Sequence, residues 1–190
     1  MSGSDAGIYP DEWELPKEGG NFERVIEILF GARSMDLYGV LDGASDPNNI
    51  YKSIVQSREE FRCLYRGELD DDLRLCAPFI VHFKKPGSIT LNLIKAIFEK
   101  NAGILVWLDA GTDIDLVRRH FRRFLLVQTP EKKTVYFRYY DPRVLGVYLP
   151  TCNGKELRTL FGQHVRRYFV PTGKGFGVRV FNSVLQEETA

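Results

Sequence analysis

In residues 137–145, charged side chains that could bind a ligand or take part in catalysis stand close together and beside aromatic rings. Arg138, Asp141 and Arg143 follow one another closely, and Pro142 comes directly after the carboxylate. A carboxylate between two cations could bind a ligand or take part in catalysis. It could also form a partly buried ion pair, or accept backbone N–H groups at a turn. We prefer this structural interpretation, since charged groups inside small domains usually pair with one another.

The alternation of polar and aromatic residues predicts that this segment is a strand ending at Pro142. In such a strand Tyr139 and Asp141 would point to one face, and Arg138 and Tyr140 would point to the other.

Two alternatives would give these groups a function. A small cytoplasmic hydrolase would bring Asp141 and either His120 or His164 within ~3 Å of a reacting atom or of one another. A nucleic-acid-binding module would use residues 118–123 and 139–140, and its affinity would fall steeply with salt. The formal net charge of +1 argues against the second alternative, because nucleic-acid binders usually carry a strong basic excess.

Arg118, Arg119, Arg122 and Arg123 form a second concentration of charge. On a helix they would make like-charged pairs at i, i+4, which repel unless acidic groups face them. Cations late in a helix also complement its dipole. The group is therefore either a solvated helix face or a surface for an anionic partner.

No pattern in the chain indicates a metal or a cofactor. Cys63, Cys76 and Cys152 are odd in number and widely spaced, which is typical of free thiols rather than of a disulfide framework or a zinc site. Residues 173–177 are glycine-rich but lack the spacing of a phosphate-binding loop. Residues 1–20 lack the apolar run of a signal peptide, and no run approaches the ~20 residues that span a membrane. We therefore expect a cytoplasmic protein without a cofactor.

The hydrophobic periodicity predicts an α/β fold of the mixed α+β kind, in which helices pack on a mixed β-sheet in one domain. Residues 1–20 are predicted to be a flexible arm with Trp13 as a docking point, followed by the domain at 21–190. Asp42 and Gly43 are typical of a turn, and Pro78 begins a strand. Helices are predicted to start at Asn21, at Ser45 or Asp46, at Ser88 and at Thr112, with a short one after Pro142 and another over 155–162. Strands are predicted over 36–42, 61–64, 78–83, 103–108, 124–128, 134–140, 165–170 and 176–181.

Six short segments carry a resemblance through their order along the chain. They are residues 37–44, 64–67, 77–81, 103–105, 121–125 and 137–145, and residues 160–162 complete the match. In this order they resemble the adaptor or chaperone domain of bacterial type VI secretion systems, over about residues 36–165. Each segment alone is weak, but six in the right order are specific.

The resemblance implies a non-catalytic cytoplasmic chaperone that binds a secreted effector protein and helps load it onto the VgrG spike protein. It supplies no catalytic residues, and it implies no membrane and no nucleic acid as a partner. Many relatives are longer and carry a second lobe, so the chain is either a short member or the first lobe alone. The oligomeric state is left open.

Arginine and aromatic residues are enriched at interface hot spots, and they supply the candidate partner-binding surfaces. The first is the arginine-rich segment 118–123. The second is the group Arg166, Arg167 and Tyr168, and the third is Trp13 in the arm.

Overall fold

Strands and helices alternate along most of the chain. The computed structural model describes residues 20–129 and 131–183, so residues 1–19 of the predicted arm, including Trp13, lie outside these ranges. The strands are β1 Met35–Asp42, β2 Glu60–Cys63, β3 Pro78–Phe83, β4 Gly103–Asp109, β5 Leu126–Gln128, β6 Thr134–Tyr136, β7 Val165–Pro171 and β8 Val178–Asn182. The helices are α1 Phe22–Gly31, α2 Ile50–Ser57, α3 Asp71–Leu75, α4 Ser88–Glu99, α5 Ile114–Arg122, α6 Pro142–Tyr148 and α7 Gly154–Phe161.

Six of the strands form one sheet in the order β2-β3-β1-β4-β7-β8. The predicted fold class, with helices packed on a sheet in a single domain, is confirmed. The strand directions differ from the expected mixture, because every described pairing is antiparallel. Helix α4 does connect two strands that run the same way, β3 and β4. They are not neighbours, since β1 lies between them and is antiparallel to both.

The sheet is covered on both faces, which produces two hydrophobic layers. Along β1, Leu37 and Leu41 belong to a core with α1, α2 and α4, whereas Tyr38 and Val40 belong to a second core with α5, α6 and α7. Strand β4 alternates in the same way. Strands buried on both faces are apolar throughout, so the prediction of a central, doubly covered strand at 103–108 is confirmed.

Side-chain caps determine where several helices begin. Asn21 accepts hydrogen bonds from the backbone N–H groups of residues 23 and 24 at the start of α1, as predicted. Asp113, rather than Thr112, caps α5. Helix α2 begins at Ile50, later than expected, because the Asp42 turn continues into a 3₁₀ turn over Gly43–Ser45. Among the described residues, no helix combines the length and the hydropathy needed to cross a bilayer.

The predicted strand over 134–140 is wrong beyond its first three residues. Strands β5 and β6 form a separate two-stranded hairpin that ends at Tyr136. The chain then turns, with the N–H of Asp141 donating to the carbonyl of Arg138 at 2.9 Å. This turn lets both Tyr139 and Tyr140 pack into the second core, so they do not alternate between two faces.

Gly43 supports the fold through a close approach that only glycine permits. A Cβ atom there would lie 2.4 Å from the carbonyl oxygen of Leu75 and 2.6 Å from that of Ala77. We expect Gly43→Ala to lower the free energy of unfolding by about 1–3 kcal/mol, measured by urea denaturation, because the backbone must move apart. Gly154→Ala is the control, since the nearest atom would be 3.6 Å away on Arg158. Equal destabilisation by both substitutions would contradict the prediction.

Candidate functional site

The buried carboxylate of Asp42 joins the end of the central strand β1 to a distant part of the chain. Asp42 is 2% exposed and accepts the N–H of Ala44 at 3.1 Å. The guanidinium of Arg138 donates to the same carboxylate in an ion pair. Burial raises the pKa of Asp42, and the Arg138 contact partly offsets this effect. Arg138 therefore has a structural role, since it supplies the cation that a buried carboxylate requires.

Asp141 is a helix cap, which confirms the structural interpretation of this carboxylate. It accepts the backbone N–H of Arg143 at 2.9 Å, and the Arg143 guanidinium donates to both of its oxygens at 2.9 and 2.6 Å. Burial opposes ionisation, but the hydrogen bonds from Arg143 prevail and hold the pKa of Asp141 below its usual value. Pro142 occupies the first position of α6, where its missing N–H costs nothing.

Both ring nitrogens of His120 have partners, and the ring packs against Phe121 and Phe124. Its Nε2 lies 2.7 Å from the carbonyl oxygen of Leu160, and Arg123 Nη2 lies 2.8 Å from its Nδ1. Burial lowers the pKa of His120 to about 4. At neutral pH the ring is therefore uncharged, with Nε2 donating to Leu160 and Nδ1 accepting from Arg123.

A different carboxylate, Asp109 at the end of β4, faces the remaining histidine of the hydrolase hypothesis. Arg166 donates to both oxygens of Asp109 at 2.7 and 2.6 Å, and His164 Nδ1 lies 3.8 Å from the same group. No hydrogen bond between Asp141 and a histidine is present among the described residues. The described residues also contain no group of three His, Cys, Asp or Glu side chains that could hold a metal ion.

Two arginines of α5 are committed to backbone carbonyls where β2 ends. Arg118 Nε donates to the carbonyl of Cys63 at 2.8 Å. Arg122 donates to the carbonyls of Leu64 at 2.9 Å and Tyr65 at 2.8 Å. Burial lowers the pKa of Arg122. Both side chains hold the segment after β2 against α5.

The other residues predicted to bind a partner differ in their accessibility. Arg119 and Arg123 are exposed. Arg167 lies over the ring of Trp107, 5.2 Å from its centroid. Tyr168 is 1% exposed and its hydroxyl donates to a backbone carbonyl at 2.7 Å, so its assignment to a partner surface is wrong. It points into the second core because alternate residues of β7 face opposite sides of the sheet.

A groove opens between residues 64–73, the end of α5 and the hairpin β5–β6. Its volume is about 500 Å³. Eight large hydrophobic side chains are exposed among the described residues, and five of them belong to this groove or to the hairpin: Leu73, Leu126, Val127, Val135 and Tyr136. Exposed apolar side chains concentrated in one place mark interaction sites. The groove was not predicted from the sequence, although apolar residues at successive positions of the hairpin indicate an exposed apolar surface.

Residues 37–159 match the family model of DUF4123, described as a domain of unknown function. The chain belongs to the DUF4123 family. No curated protein and no solved structure matches it. The matched residues include the Asp42–Arg138 pair, all of α5 and the whole groove.

In this DUF4123 chain the short segments identified from sequence meet in pairs. Residues 37–44 meet residues 137–145 through the ion pair between buried Asp42 and half-exposed Arg138. Residues 64–67 meet residues 121–125 through Arg122, and both of these segments line the groove. The first contact neutralises a buried carboxylate, whereas the second lies at the surface groove.

We expect Arg138→Met to lower the free energy of unfolding by about 2–3 kcal/mol at pH 7, because the Asp42 carboxylate stays buried without its cation. Arg24→Met is the control, because Arg24 pairs with Glu27 and both side chains are exposed, by 55% and 67%. That substitution should cost clearly less, since an exposed ion pair contributes little to stability. Guanidinium denaturation measures both, and equal losses would contradict the role given to Asp42.

Protonation of His120 makes the stability of the protein fall under mildly acidic conditions. Its pKa is about 4 in the folded chain and 6.5 when exposed, so the unfolded state binds the additional proton between these values. Stability is therefore fully present above pH 6.5 and is lost as the pH falls to about 4, by up to about 3 kcal/mol. Urea denaturation across this range should show a smaller slope in His120→Gln than in the unmodified chain. An unchanged slope in His120→Gln would contradict the assignment.

Proposed function

We propose that this DUF4123 chain is a non-catalytic adaptor, which binds a type VI secretion effector in the cytoplasm and helps load it onto the VgrG spike protein. Two findings support the proposal together. The family match spans residues 37–159, and the order of the short segments resembles the adaptor domain of type VI secretion systems. An adaptor needs a surface for a partner, and it needs no chemistry of its own.

The observation that carries the proposal is the apolar groove inside the matched residues. Leu126 is 52% exposed and Tyr136 is 66% exposed, and both lie on a hairpin outside the main sheet. Leaving such side chains in water is unfavourable, and a protein partner would cover them. An aromatic and an arginine beside it, Tyr136 and Arg123, are residue types that recur at interface hot spots.

The residues considered for catalysis support an enzyme less well than the groove supports an adaptor. Asp141 caps a helix and pairs with Arg143, and both ring nitrogens of His120 have partners. A nucleic-acid site at α5 has less support than a protein-binding site, because Arg118 donates to the carbonyl of Cys63. The groove beside Arg122 is lined mainly by leucines and tyrosines, which suit a protein better than a phosphate backbone.

Affinity purification tests the adaptor role directly. We expect the tagged chain to retain both the effector and the spike protein encoded beside it when the three are co-expressed. A spike protein and an effector from an unrelated locus are the control and should be lost on washing. Failure to retain either neighbouring partner would contradict the proposal.

A further inference from the structure

We infer that the groove binds a short apolar segment bearing carboxylates, which under the proposed function belongs to the effector. The apolar part of this inference comes from the groove walls. Leu69 and Leu73 line one side, Leu126 and Tyr136 line the other, and Tyr65 packs edge-on against the Tyr136 ring at 5.9 Å between centroids. A volume of about 500 Å³ suits a few side chains rather than a whole domain face.

The charge of the groove has one sign. Arg66, Arg122 and Arg123 line it, and no carboxylate does so among the described residues. Four acids, Glu68, Asp70, Asp71 and Asp72, lie on the same segment of the chain, but none of them lines the groove. The charges at the groove itself are therefore those of the three arginines, which favour a carboxylate over an ammonium.

Arg122 makes this recognition preorganised. Its Nε and Nη2 are held by the carbonyls of Leu64 and Tyr65, while its Nη1 makes no hydrogen bond among the described residues. A donor that is already fixed loses little conformational entropy when a carboxylate binds. Arg66 and Arg123 also line the groove, and both are exposed.

Fluorescence anisotropy with short labelled peptides tests the inference on the purified chain. One peptide alternates leucine and phenylalanine with aspartate and glutamate. A second replaces the acids with lysine, and a third replaces the apolar residues with serine. We expect the acidic apolar peptide to bind at least about tenfold more tightly than either of the others.

Substitutions in the groove locate the binding. Tyr136→Asp and Leu126→Asp should each weaken the acidic apolar peptide by about tenfold or more, and the double variant Arg66→Glu with Arg123→Glu should remove its advantage over the lysine peptide. Val147→Asp is the matched control, because this α6 side chain is 69% exposed and lies outside the groove. Circular dichroism checks that each variant is folded.

Equal binding of the acidic and lysine peptides would overturn the inference, as would unchanged binding in folded Tyr136→Asp and Leu126→Asp. Light scattering provides a further test. If the unmodified chain is a dimer and Tyr136→Asp is a monomer, the groove holds a second copy of the chain and the inference is wrong.

Co-purification separates this inference from the adaptor function. If the unmodified chain and Tyr136→Asp retain the effector equally, the groove is not its binding site although the chain is an adaptor. If the unmodified chain retains neither partner but binds the acidic apolar peptide in the groove, the adaptor function fails and the groove assignment stands.

Discussion

The buried carboxylate at the end of β1 needs a cation beside it, and this need constrains the path of the chain in the second half of the fold. Asp42 is almost fully removed from water, and an ionised carboxylate there is tolerable only with a cation beside it. The cation comes from Arg138, 96 residues further along the chain. Arg138 lies in the turn that follows the end of the hairpin at Tyr136, and helix α6 begins directly after this turn with Asp141 as its cap. The carboxylate and two arginines that stand close together in residues 137–145 therefore belong to two separate structural ion pairs, Arg138 with Asp42 and Arg143 with Asp141.

The same requirement, that buried polar groups find partners, also produces the surface groove. Strand β2 is a short edge strand, and the carbonyls after it need donors. Arg118 and Arg122 provide them from α5. The loop that follows is thereby held against α5, and Leu69 and Leu73 further along the chain line the groove. One wall of the groove is fixed by hydrogen bonds that stabilise the fold, which is the arrangement that favours binding without a large entropic cost.

The ion pairs and the groove lie on one face of the sheet, and the other face is covered by a hydrophobic layer. The face covered by α1, α2 and α4 is a hydrophobic layer on which none of the pairs described above depends. The other face carries α5, α6 and α7, and the hairpin β5–β6 emerges between α5 and α6 without joining the sheet. Because both hairpin strands are exposed throughout, their apolar residues are available to a partner.

Much of the local structure followed from the sequence alone. The strand at 78–83, the Asn21 cap and the central strand at 103–108 depend on alternation, capping and continuous burial, which are properties of neighbouring residues. The six short segments also lie inside residues 37–159, which match the DUF4123 family model.

Only the tertiary structure decided what the charged and aromatic residues do. Arg138 and Arg122 find their partners far along the chain, and Tyr168 is buried because helices cover the face to which it points. The strand directions were decided in the same way, by β1 lying between β3 and β4. Such roles depend on which distant segments meet, and a pattern of neighbouring residues does not specify that. Local sequence thus determined the elements, while long-range packing determined which polar groups are structural and which reach the surface.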